Sequence, residues 1–196
     1  MLRKWVIILL GCLMPFTVTG QEADADIHAE LRTLLGGMQS AVNDAKYGEL
    51  GQYFHDQMRV TMINQEVLKA RGEIAPFFDK WFGPSRFMKR VNMTLTADGL
   101  TQLHSSKTLG AVEGSGAEDY YLSDGRFIPM KTRWTATVIK DSDGKWKILT
   151  LHIGTNFLDN PILSTAEGAM KKTGAIAGGV GLVIGALAMW FLRRKG

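Results

Sequence analysis

Nineteen consecutive residues near the C-terminus, Gly174–Leu192, carry no charge, and they are flanked by Lys171 and Lys172 on one side and Arg193, Arg194 and Lys195 on the other. As a helix rising about 1.5 Å per residue this run measures roughly 28 Å, close to the roughly 30 Å of hydrocarbon in a bilayer. It therefore reads as a transmembrane helix over 174–192. The opposite end carries a shorter apolar run, Trp5–Phe16, behind Arg3 and Lys4. Its length as a helix is only about 18 Å, too short to cross, and small residues follow at Thr17, Val18, Thr19 and Gly20. These features read as a secretory signal over 1–20 with cleavage after Gly20. A lipoprotein signal at Leu9, Leu10, Gly11 and Cys12 is the alternative. An outward-directed chain halted by 174–192 is a single-pass protein of the cell membrane. Its N-terminal domain lies outside the cytoplasm (in the periplasm of a Gram-negative host), and the tail 193–196 lies in the cytoplasm, as the positive-inside tendency prefers.

The two ends change what the charge means. The sequence pI of about 9.2 would ordinarily suggest nucleic-acid binding. Without the basic residues of the signal and the anchor flanks, however, residues 21–170 hold 16 basic against 19 acidic side chains. No basic stripe remains for nucleic acid. The single cysteine, Cys12, falls in the signal, so the mature chain has no disulfide, thiolate nucleophile or cysteine-bound metal. Asn92-Met93-Thr94 is a glycosylation sequon, relevant in a host that glycosylates.

Between the ends lies enough chain for one core. Leu31, Leu34, Leu35, Met38, Ala41 and Val42 share a helical face, with Asp26 as the expected cap and a close packing contact or bend expected at Gly36 and Gly37. A short second helix buries Leu50, Tyr53 and Phe54, and His55-Asp56 is expected to cap its end. Met58, Val60 and Met62 alternate as a strand, and Asn64-Gln65 turns the chain back along 67–69. A third helix from about Gly72 presents Ile74, Phe77, Phe78, Trp81 and Phe82, with Pro76 in its first turn. From Phe87 onward the chain alternates as strands near 91–96, 100–112, 117–122, 127–140 and 145–156. Asp141–Gly144 is the clearest hairpin turn, and the glycine-rich stretch Gly110–Gly116 is expected to connect two strands. Helices followed by a long antiparallel run give an α+β class: a curved sheet wrapped around about three N-terminal helices, with a conical pocket as the default ligand site.

Three strings resemble the nuclear transport factor 2-like superfamily in its SnoaL-like branch. They are Ala41-Val42-Asn43, the stretch Val67-Leu68-Lys69-Ala70-Arg71-Gly72-Glu73-Ile74, and Asp143-Gly144-Lys145-Trp146-Lys147-Ile148 running on to Leu151 and His152. The resemblance covers 27–163 and leaves 164–173 as a juxtamembrane linker. It implies a cone-like fold and leaves activity open, because relatives include isomerases, cyclases, hydrolases, dehydratases and non-catalytic modules. By element order, the tyrosine, aspartate base and protonated acid of steroid-isomerase-like members fall near Met38, Met62 and Ala136. None of these can transfer a proton, so the resemblance implies that this isomerase chemistry is absent.

His152 is the candidate for acid–base chemistry, because strict alternation on the last strand groups it with Trp146, Ile148 and Thr150, and Asn156 could follow. A histidine hydrogen-bonded within the core is the other reading. Trp134 shares a face with Ile128, Met130, Ala136 and Val138, and is expected to wall the pocket with Tyr53, Met62, Phe78, Trp81, Tyr120 and His152; plain core packing is the alternative. Met38, Met58, Met62, Met88, Met93 and Met130 suit an adaptable apolar cavity. His28, His55 and His104 are scattered, so no metal site and no cofactor are expected. Gly174, Gly178, Gly181, Gly185 and Ala188 make a stripe of small residues that favours helix–helix association. Three functional readings follow: a membrane-tethered module for a small apolar or lipid-like ligand, dimeric through the sheet and the anchor; a SnoaL-like enzyme acting through His152; and a ligand-free assembly module.

Overall fold

The computed structural model describes residues 24–194, so the signal reading, Cys12 and the end of the basic tail lie outside the described residues. Helix α1 (Ala25–Asn43) buries Leu31, Met38, Ala41 and Val42 along the apolar face read from the sequence, and adds His28 to it. The helix begins one residue before Asp26, which therefore sits in the first turn rather than at the cap. A carboxylate there still favours the positive end of the helix dipole. Asp24, at the cap position with φ 61°, instead receives Lys107 Nζ at 2.5 Å. Helix α1 crosses a 3₁₀ turn (Tyr47–Tyr53) at Gly37, where an added methyl would come within 2.9 Å of the Tyr53 ring. This is the close contact expected from the glycine pair.

Strand β1 (Phe54–Thr61) follows directly, which moves His55 and Asp56 out of the capping role and into a strand. There His55 Nδ1 accepts the Gln57 backbone N–H at 3.1 Å. After β2 (Val67–Leu68) comes α2 (Ile74–Trp81), whose Phe77 and Phe78 are buried. The strands β3 (Met88–Ala97), β4 (Gln102–His104), β5 (Leu109–Leu122), β6 (Phe127–Lys140) and β7 (Trp146–Thr155) complete one seven-stranded sheet. Its order is β2-β1-β7-β6-β5-β3, with β4 beside β5. Every pairing is antiparallel except β1 with β7, which run parallel, so the expected antiparallel run is closed by one parallel seam. The sheet curves around α1 and α2 as the cone-like α+β arrangement of nuclear transport factor 2-like folds.

Two departures from the sequence pattern shape the interior. The stretch 110–116 is not a connection: it lies inside β5, paired with β6 along its whole length. Glycine is required there by close approach, because a methyl at Gly114 would overlap the Trp134 ring and the Thr96 carbonyl. The break instead falls at Ser105–Lys107, a turn in which all three residues have positive φ. Strand β3 ends the sheet, with β5 on one edge and no strand among the described residues on the other, where α1 supplies a partner in side-chain form. Asn43 Nδ2 donates to Met93 O at 2.9 Å, Met93 N–H donates to Asn43 Oδ1 at 2.7 Å, and Leu95 N–H donates to Gln39 Oε1 at 2.7 Å. These bonds satisfy backbone groups that would otherwise be orphaned along that edge.

Helix α3 runs unbroken from Pro161 to Arg194. Asn160 caps it, its Oδ1 accepting the Leu163 N–H at 3.0 Å, with Pro161 at the first helical position. The segment 164–173, read as a linker, is helical. Ala166, Glu167, Ala169, Met170, Lys171 and Lys172 are good helix formers, and ten such residues rise only about 15 Å. Helix α3 is long and apolar enough to cross a membrane, with mean hydropathy 2.1 over its best window and none of that window buried.

Candidate functional site

The cone holds an open-mouthed cavity of about 150 Å³. Its floor is the inner face of α1, where Leu31, Leu34, Leu35, Met38 and Val42 line it. Opposite stand Val60 and Met62 from β1 and the residue after it, Met93 and Leu95 from β3, Trp134, Ala136 and Val138 from β6, and Ile148, Leu151 and Ile153 from β7. Phe78 of α2 closes one side. The wall is overwhelmingly apolar.

Few polar groups reach this space. His28, Arg32 and Thr101 line it where α1 begins. Glu118 lines it from β5 and is only 5% exposed. Its carboxylate is held by two hydroxyls: Thr132 Oγ1 donates to Oε1 at 2.8 Å, and the Tyr120 hydroxyl donates to Oε2. Burial, reinforced by the charge of Glu118 and by that hydrogen bond, pushes the Tyr120 phenol far above its ordinary value of 10, so the proton stays on the tyrosine. Gly116 makes room for the pair, since a methyl there would overlap Thr132 Oγ1 and come within 3.0 Å of Glu118 Oε1.

Of the seven residues expected to wall the pocket, Met62, Phe78 and Trp134 do so. Tyr53 packs over Gly37. Trp81 turns away and donates its Nε1–H to Glu66 Oε1 at 3.1 Å. Tyr120 does not line the cavity; its ring lies 6.2 Å from the Phe82 ring and its hydroxyl donates to Glu118. His152 is on the exposed outer face of the sheet and does not line the cavity. The reason is a register slip: Thr137 pairs with Thr150 while Val138 pairs with Ile148, which leaves Leu149 as the extra residue of a bulge. Beyond it the inward face passes to Leu151 and Ile153, and strict alternation from Trp146 no longer applies. Among the described residues no cluster of three His, Cys, Asp or Glu could hold a metal.

Met38, Met62 and Ala136, which the resemblance led one to expect at the proton-transfer positions, all line the cavity, and all are side chains without an exchangeable proton. Sequence reading missed Glu118, because the glycines preceding it erase the alternation that would have assigned its face.

No protein-family model matches the chain, and no curated protein matches its sequence. Solved structures do match in shape. A ketosteroid isomerase-like protein from Erwinia carotovora shares 13% identity at a TM-score of 0.55, covering 67% of this chain and 97% of its own. A hexachlorocyclohexane dehydrochlorinase shares 18% identity at 0.54, over 66% and 84% of the two chains. A protein with a cystatin-like fold from Caulobacter vibrioides shares 12% identity at 0.53, over 74% and 99%. At these identities the likeness is one of fold alone.

Proposed function

We propose that the chain is a membrane-tethered binding module that holds one small apolar molecule outside the cytoplasm. The observation that carries this reading is the aliphatic cavity at the centre of the cone, with Met38, Met62 and Ala136 in its wall. An engineered cavity of about 150 Å³ with a similar lining stays dry and takes up benzene. The volume here therefore suits a ring-sized or short-chain body. Helix α3 supplies the tether. The exposed sheet face around Glu113, Lys131 and Arg133 is charged, which favours α3 over the sheet as the surface for any self-association.

The test is saturable binding of fluorobenzene, followed by ¹⁹F NMR, to the full chain in lipid nanodiscs with empty nanodiscs subtracted. Ala136→Phe, which fills the cavity, should abolish that binding; His152→Ala, outside the cavity, should leave it unchanged. Loss of binding on changing His152 while Ala136→Phe still binds would overturn the proposal.

A further inference from the structure

An apolar cavity of this size needs no buried carboxylate, yet one is built into its wall with its own supports. We propose that Glu118 is the polar anchor of the cavity, and that the ligand carries a hydrogen-bond donor, a hydroxyl or an ammonium, on its ring-sized body. The inference rests on the reading of the cavity as a binding site and assigns the chemistry of what enters it.

An ionised carboxylate offers about four lone-pair positions and donates nothing. Thr132 takes one position on Oε1 and Tyr120 one on Oε2, which leaves acceptor capacity on both oxygens. Both supports are hydroxyls from the sheet itself: Tyr120 lies two residues along β5, and Thr132 on β6 pairs with Gly116. They fix the orientation of the carboxylate without neutralising it. The bare Cα of Gly116 lets the Thr132 hydroxyl and the Glu118 carboxylate meet, so the glycine serves the anchor.

The arrangement discriminates by sign. Tyr120 keeps its proton and directs it at Glu118, so no free donor is offered to a ligand from this side. A ligand carbonyl or carboxylate would meet acceptor against acceptor in a desolvated space, whereas a hydroxyl or ammonium would complete the carboxylate's hydrogen bonding. A hydrogen bond to a charged group, made out of water, corresponds to a gain of roughly 10- to 100-fold in affinity over the same body without the donor.

Fluorobenzene, 4-fluorophenol, 4-fluorobenzylamine and 4-fluorobenzoate form a matched series for ¹⁹F NMR titration into the full chain in nanodiscs. The expected result is that the phenol, the amine or both bind roughly 10- to 100-fold more tightly than fluorobenzene, and the benzoate no more tightly than fluorobenzene. Preference for the phenol alone assigns a hydroxyl ligand, and preference for the amine an ammonium. Glu118→Leu should abolish the preference, so that the favoured probe binds no more tightly than fluorobenzene does to the same variant. Should that variant misfold, Glu118→Gln keeps the shape, and the preference for the amine should fall with the charge. Equal affinities for fluorobenzene and the donors, insensitive to Glu118, would overturn the anchor and leave the cavity reading standing. Preferential binding of the benzoate would also overturn the anchor. Failure of every probe to bind would remove both readings.

Discussion

Asn43 is the residue whose removal most directly tests how the open side of the sheet is closed. Its side-chain amide makes both a donor bond to Met93 O at 2.9 Å and an acceptor bond from Met93 N–H at 2.7 Å, across fifty residues of sequence. Asn43→Ala removes two hydrogen bonds worth about 1 kcal/mol each, and leaves a partly buried carbonyl and N–H that water reaches poorly. The expected loss is about 2–3 kcal/mol, or roughly 8–12 °C in melting temperature for a domain of this size. Gln39→Ala, which removes only the acceptor for Leu95 N–H, should cost about 1 kcal/mol. Asn43→Asp should be no better than alanine, because the second carboxylate oxygen would face the Met93 carbonyl. Urea unfolding of the full chain in detergent, followed by near-ultraviolet circular dichroism, measures all three. A loss below about 0.5 kcal/mol for Asn43→Ala, the size of an ordinary surface change, would refute the claim that α1 acts as the missing edge partner.

Three further outcomes are expected. Gly114→Ala should destabilise the domain by about 1–3 kcal/mol through overlap with Trp134 and Thr96, whereas Gly48→Ala, with open space around it, should be nearly neutral in the same urea assay. Because the Tyr120 pKa is raised on folding, both states carry its proton below pH about 10; above that the unfolded chain releases the proton and the folded one does not, so stability falls as pH rises. Tyr120→Phe should flatten that alkaline decline in melting temperature, and an unchanged slope would count against the burial of the phenol. Gly178→Leu combined with Gly185→Leu should weaken any self-association of the full chain in bilayers, read by energy transfer between labelled copies, because bulky side chains prevent close approach of two helices.

Element identity was legible wherever side chains alternate without interruption. The faces of α1 and α2 and the span of β6 agree with their apolar periodicity, and the Asp141–Gly144 turn closes with Gly144 N–H on Asp141 O at 2.9 Å. The parallel seam between β1 and β7 was not legible, since the partner of a strand depends on how the whole sheet closes rather than on its own residues. Helicity in 164–173 was legible only in composition, which the reading of those residues as a linker did not use.

The two misreadings of the site share one physical cause. A strand reveals its inward face only through a regular alternation of large apolar and polar residues, and this sheet breaks that alternation where it must curve. On β7 the break is an extra residue, Leu149, which puts Leu151 inside and His152 outside. On β5 it is the absence of side chains at Gly110, Gly114 and Gly116, three inward positions where neighbours from other elements already fill the space. Curvature is what makes the cone hollow, so the residues that create the cavity are the ones that conceal its lining. Glu118 follows that concealed stretch directly, and its role becomes visible only when Gly116, Thr132 and Tyr120 are seen around it.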